Sequence, residues 1–117
     1  MMKTHIKLIL KRKKAMNINP FKKNKTNFKF NEGALIEELL NYVSNTYDGH
    51  YSKNKFQSTE FIIDCDHGMG FALGNVLKYA QRYGKKQGYN RADLLKILHY
   101  ALIALHVHDK NEKEGLQ

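Results

Sequence analysis

The sequence predicts an all-α protein: a small bundle of three main helices plus one short helix, behind a basic N-terminal arm. Three observations carry this. Apolar residues recur at helical spacing in three long segments. Residues that start or stop helices flank those segments, with Asn31 and Asn90 in front and Gly84 behind. No stretch shows the alternation of a β-hairpin, and no segment repeats. A chain of 117 residues with 42% hydrophobic content makes one small domain with a modest core, which self-association would help to stabilise.

Residues 1–28 read as a flexible arm. Lys11-Arg12-Lys13-Lys14 and Lys22-Lys23-Asn24-Lys25 are like-charge blocks that repel one another, and the only proline, Pro20, lies between them. Residues 1–30 hold ten Lys or Arg and no acid, whereas residues 31–117 carry a net charge of −1. The basic excess of +9 therefore belongs to the arm and the domain is close to neutral. Three readings of the arm stand: a solubilising tail, non-specific contact with nucleic acid through its phosphates, or an upstream extension with Met16 as the start. The helical domain is expected over residues 29–108 and a frayed charged tail over 109–117.

The first helix is expected from Glu32 to Tyr47, capped by Asn31, with Leu35, Ile36, Leu39, Leu40 and Val43 as its buried stripe. Residues 47–51 read as a turn and Lys53 to Gln57 as polar loop. Ser58 then caps a short helix from Thr59 to about Asp66, burying Phe61, Ile62 and Cys65. Gly68 and Gly70 break or bend the chain, and Gly74 suits close helix packing. The second long helix covers about Phe71 to Tyr83 and stops at Gly84. Asn90 caps the last helix, with Asp93 in its first turn, and that helix runs to about His108. It is apolar over most of its surface, as expected of a central or subunit-interface helix.

The single cysteine, Cys65, excludes a disulfide framework and points to a reducing, cytoplasmic compartment. No apolar run approaches the roughly 20 residues of a membrane span. The run from Ile6 to Leu10 is too short for a signal-peptide core and lacks a cleavage site. No membrane role is expected.

The most informative segment is Gly74 to Lys86. As a helix it sets Asn75, Lys78, Arg82 and Lys85 on one stripe and Leu73, Val76, Leu77, Ala80 and Gly84 on the other. The first stripe suits an anion such as phosphate, and the second is expected to pack as core. Asp93, Lys96 and Tyr100 share a stripe on the last helix that can face the Lys78 helix, where Asp93 pairs with Arg82 or Lys78. Lys85 and Lys86 form a loop able to close over phosphates. His50 is either a phosphate ligand or a turn residue. Tyr51, Tyr79, Tyr83 and Tyr89 are either base-stacking rings or core. Glu60, Asp64, Asp66 and His67 suggest a Mg²⁺ site held through water, set against the plainer reading of a solvated acidic face. His99 and His106 lack a cysteine or carboxylate partner, so zinc is not expected and no protein-held metal site is assigned.

Gly70-Phe71-Ala72-Leu73-Gly74-Asn75-Val76-Leu77-Lys78-Tyr79, then Arg82, Lys85 or Lys86, Ala92-Asp93-Leu94-Leu95-Lys96 and Tyr100, resembles the core pattern of the SaV-like bacteriophage protein family. His50-Tyr51 and Gln57 to Ile62 resemble its upstream part. The likeness spans about residues 49–105. It implies a phage protein acting in bacterial cytoplasm, with members described as nucleotide kinases. On that reading Lys78 and Arg82 are catalytic, and Asn75, Lys85, Lys86, His50, Tyr51, Tyr79, Asp93 and Lys96 bind nucleotide. Mg²⁺ is then expected with the triphosphate donor. The chain departs from common kinases in lacking G-x-x-x-x-G-K-[ST]. A non-catalytic oligomer that sequesters nucleotides, including host defence signals, therefore stands beside the kinase reading. Nucleic-acid binding through the arm is the third reading.

Overall fold

The computed structural model describes residues 26–48 and 50–115, with backbone alone at 50–53. Residues 1–25 of the expected arm lie outside the described residues. The described chain holds four helices and no strand: α1 Glu32–Thr46, α2 His50–Asp64, α3 Gly68–Arg82 and α4 Arg91–Lys113. None is long and apolar enough to cross a membrane.

The chain divides into two units, residues 1–33 and 34–117. In the first, Asn31, expected to cap α1, is left-handed at φ 62°. The Glu32 carboxylate instead accepts the Phe30 N–H at 2.8 Å.

In the second unit, α2 corrects the sequence reading most. It is a full 15-residue helix that takes in the supposed turn at 50–51 and the polar loop at 53–57. Ser58 does not cap it. The Ser58 and Thr59 hydroxyls sit mid-helix and donate back to the Asn54 and Lys55 carbonyls, the bonding that lets hydroxyl residues sit inside a helix. The longer helix also changes which face turns inward. Thr59 is buried and Phe56 and Ile63 are half-buried, whereas Phe61 is 70% exposed and Cys65 is exposed.

The link to α3 turns at Asp66, left-handed at φ 65°. Gly68 opens α3 where α2 and α4 approach closely: a Cβ there would lie 2.9 Å from both Ile63 Cγ1 and Val107 Cγ2. Close packing thus belongs to Gly68, not to Gly74, whose surroundings are open. After α3 the chain turns through left-handed Gly84 (φ 85°), with the Tyr89 ring against it, and Gln87. Asn90 caps α4 as expected, its side chain accepting the Ala92 N–H at 3.0 Å. Residues 109–113, expected to fray, continue the helix. A His108–Glu112 contact and a Lys110–Glu114 ion pair, both at i, i+4, line this end.

α3 and α4 form an antiparallel hairpin. Arg82 meets Asp93, Tyr79 meets Lys96 and Tyr100, and Gly68 meets Val107. The inward stripe of α3 is Gly68, Ala72, Tyr79 and Arg82; of the expected polar stripe Arg82 and Asn75 are half-buried, whereas Lys78 and Lys85 are exposed. The stripe expected to be core turns out: Leu73 is 47% and Leu77 69% exposed. Leu94, Leu98 and Leu105 on α4 are exposed as well. The expected stripe of α1 is exposed too, with Leu35, Ile36 and Leu40 at 40% or more and none of its residues buried. The physical reason is shared. Ion pairing and ring packing hold Arg82 and Tyr79 against α4, and a single chain of this size has too few helices to cover the rest.

Candidate phosphate-binding site

The centre of the second unit is aromatic. The Tyr79 and Tyr100 rings stack at 6.0 Å, and Phe71 meets Tyr100 edge-on at 5.9 Å. Tyr42 joins from α1, its ring edge-on to His99 at 6.2 Å. Burial raises the pKa of the Tyr42 phenol, and the nearby Tyr100 and Tyr79 phenols push it further. The Tyr100 pKa is raised in the same way, first by burial and then by Tyr79, while Lys78 opposes the shift. Both hydroxyls remain donors at neutral pH.

Four cations surround these rings. Lys78 Nζ lies 5.3 Å, Lys96 Nζ 5.0 Å and Arg82 Cζ 5.9 Å from the Tyr79 centroid. Lys55 Nζ, from α2, lies 5.6 Å from the Tyr100 centroid. Three helices thus bring ammonium or guanidinium groups to one pair of tyrosines.

The one acid in this cluster is Asp93, which is fully buried. Asn90 starts α4 so that Asp93 falls in its first turn, where the helix dipole favours an anion. Its Oδ1 lies 3.5 Å from Arg82 Nε, and neither carboxylate oxygen has a hydrogen-bond partner in the described structure. Asp93 anchors Arg82, so Arg82 stands over Tyr79 at a fixed place. The three lysines keep their charge uncompensated within the cluster, which suits an anion with several oxygens. Being buried and paired, Asp93 does not make the cluster a Mg²⁺ site.

Other expected residues fall elsewhere. Asn75 is half-buried and its amide donates to the Phe71 carbonyl at 2.9 Å, so that N–H group is held by its own helix. Lys85 and Lys86 are exposed in the turn after α3 and are not among the cations over Tyr79 or Tyr100. Tyr83 and Tyr89 pack on each other at 5.4 Å, away from the stacked pair. The His50 and Tyr51 side chains lie outside the described residues. Glu60, Asp64, Asp66 and His67 are exposed and do not converge. The described group with metal-ligand spacing is His108, Asp109 and Glu112, also exposed.

Lys55, Phe56, His99 and Tyr42 were missed as site residues. The signal for Lys55 and Phe56 was present: Phe56, Thr59 and Ile63 recur at i, i+3 and i+7, which marks a helix running through the supposed loop.

Residues 45–102 match the family model described as a protein of unknown function, DUF3310. No curated protein and no solved structure matches the chain. The matched span contains α2, α3 and the first half of α4, and with them Lys55, Lys78, Tyr79, Arg82, Asp93, Lys96 and Tyr100. A DUF3310 domain, whose family has no assigned function, is therefore found at residues 45–102.

Proposed function

We propose that this chain binds nucleotides, with their phosphates on the cation-rimmed Tyr79–Tyr100 pair, and transfers a phosphoryl group from a nucleoside triphosphate to a deoxynucleoside monophosphate. One observation carries the reading: Lys55, Lys78, Arg82 and Lys96 converge from three helices on two tyrosines, in a domain whose total net charge is close to zero. The substrate class comes from the resemblance to phage nucleotide kinases, and a bacterial host cytoplasm as the place of work comes with it.

The chemistry asks little of the protein beyond position and charge. An oxygen of the acceptor monophosphate bonds to the γ-phosphorus. The bond from that phosphorus to the β,γ-bridging oxygen breaks, and a nucleoside diphosphate leaves. The attacking oxygen is already anionic, so no general base is needed. The lysines and Arg82 neutralise charge as the two phosphates approach. Mg²⁺ would arrive on the donor's own phosphates.

The buried state of Asp93 favours a second reading, a nucleotide-holding protein without turnover, because the cluster offers Mg²⁺ no protein ligand. Incubating the purified chain with Mg²⁺, ATP or dNTP donors and each dNMP separates the two. The kinase reading requires diphosphate product that disappears in Lys78→Ala. Stoichiometric recovery of unmodified nucleotide supports holding, and no binding of any nucleotide refutes both.

Self-association belongs to the same reading. Leu73 and Leu77 on α3 and Leu94, Leu98 and Leu105 on α4 are exposed apolar residues that a second copy of the chain can cover. Nucleic-acid contact through the arm concerns residues 1–28. Deleting them should abolish salt-dependent DNA retention if that contact exists.

A further inference from the structure

Next to the cation rim, α1, α2 and α4 enclose a cleft of about 340 Å³. Its walls are Tyr47, Phe56, Ile63, His99, Leu102 and Ile103, with Glu60 and His106 as polar lining groups. We propose that this cleft receives the base of the nucleotide whose phosphates lie on the rim. The proposal rests on the phosphate reading of that rim and adds a second subsite to it.

Three features point this way. The first is that cleft and rim share walls. Lys55 and Phe56 are neighbours on α2: Lys55 stands over Tyr100 and Phe56 lines the cleft. His99 and Tyr100 are neighbours on α4: Tyr100 lies under the cations and His99 lines the cleft. The His99 ring is 6.3 Å from Tyr100 and 6.5 Å from Phe56, so it stands at the junction. A ligand with a flat apolar part joined to an anionic part matches two adjoining surfaces of this kind.

The second is the chemistry of the walls. Tyr47 and Phe56 stack at 4.3 Å with 18° between their planes, and aliphatic side chains face them. Aromatic faces of this sort hold bases of any identity by stacking. Burial, and then the Lys55 charge, lower the His99 pKa, so the imidazole is neutral at physiological pH and can donate or accept at a base edge. Glu60 is the one carboxylate in the lining and accepts from a base with an amino edge.

The third is size and access. Small-molecule sites start at roughly 300 Å³ and combine an apolar lining with few polar groups. This cleft holds a base but not a dinucleotide. Tyr47 is 64% and Leu102 44% exposed, so its walls open to solvent.

The test is calorimetric titration of the full chain with dGMP, with 2-deoxyribose 5-phosphate, which lacks the base, and with deoxyguanosine, which lacks the phosphate. Wild-type protein should bind dGMP on the order of tenfold more tightly than the sugar phosphate. Ile63→Trp, which fills the cleft, should reduce dGMP affinity to that of the sugar phosphate while leaving the latter unchanged. Lys78→Ala should weaken both. If Ile63→Trp disturbs the far-UV dichroism, Phe56→Leu decides, since it stays apolar and removes the stacking face. Equal binding of dGMP and sugar phosphate by wild type, or variants that leave the difference intact, overturns the base cleft and leaves the rim standing. Binding of deoxyguanosine but not sugar phosphate overturns the rim and keeps the cleft. No binding of any probe overturns both. A change in sedimentation with Ile63→Trp, without a change in dGMP affinity, assigns the cleft to a second copy of the chain and overturns the proposal.

Discussion

Removing Arg82 should destabilise this protein more than removing Asp93, although the two form one ion pair. Asp93 is fully buried, and its side chain is 1% exposed against 20% for Arg82. At 3.5 Å, the Coulomb attraction amounts to about 5 kcal/mol at an effective dielectric constant of about 20. Neither carboxylate oxygen has a hydrogen-bond partner to take over, so Arg82→Met leaves a bare charge in a dry place. Breaking such a pair from the cation side costs about 3–5 kcal/mol. Asp93→Asn leaves a guanidinium that already reaches water. It gives up the ion pair and a helix-dipole contribution of about 0.3–1 kcal/mol, and it removes the need to keep a carboxylate dry. Its expected cost is about 1–2 kcal/mol, and the double variant should be no less stable than Arg82→Met alone, with coupling of about 2 kcal/mol. Urea unfolding at neutral pH, followed by circular dichroism, measures all four forms. The reasoning fails if Asp93→Asn is the more damaging change or if the two effects simply add.

Gly68→Ala should lower stability by about 1–2 kcal/mol, because its Cβ meets Ile63 and Val107 at 2.9 Å, whereas Gly70→Ala in open surroundings should raise it by up to about 1 kcal/mol; thermal melts separate the two signs. Leu77→Lys, on a residue 69% exposed, should disrupt self-association in sedimentation experiments while leaving helicity intact; an unchanged sedimentation coefficient would remove the exposed face of α3 as the interface. His99, whose folded pKa lies below its ordinary 6.5, holds less proton than the unfolded chain in mild acid; its contribution is therefore complete above pH 6.5 and is lost as pH falls through the folded value, a dependence that His99→Gln should flatten in pH-resolved unfolding.

The sequence carried the helical class because the 3.6-residue period of apolar residues survives in α1, α3 and α4, and because Asn90 and Gly84 mark their ends chemically. It also carried a cationic partner for Asp93 on the preceding helix, left open between Arg82 and Lys78, and the structure selects Arg82. It misled on α2. Residues 50–57 hold mostly polar side chains and no capping signal, and only Phe56, Thr59 and Ile63 betray the helix. It misled as well on which face of α3 is inside. Apolar residues are usually read as core, but here Arg82 is held by a buried acid and Tyr79 stacks on Tyr100, and these contacts fix the rotation of the helix. Leu73 and Leu77 are turned outward as a result, which composition alone cannot reveal.

That rotation ties the candidate site to the fold. The surface along which α3 and α4 pack is the same surface that gathers the cations, so several residues serve both purposes. Asp93 and Tyr100 are buried, so changing either alters the packing of the hairpin together with the cluster. Loss of binding in their variants would report folding as much as recognition. Lys78 and Lys55 are different: both are exposed, and each reaches its tyrosine only with the end of a flexible stem. Charge can be removed there at little cost to the hairpin. Lys55 and Lys78 also come from different helices, so a loss of anion affinity on neutralising each, at unchanged stability, requires α2 and α3 to address one ligand. A site confined to the α3–α4 seam would respond to Lys78 and ignore Lys55.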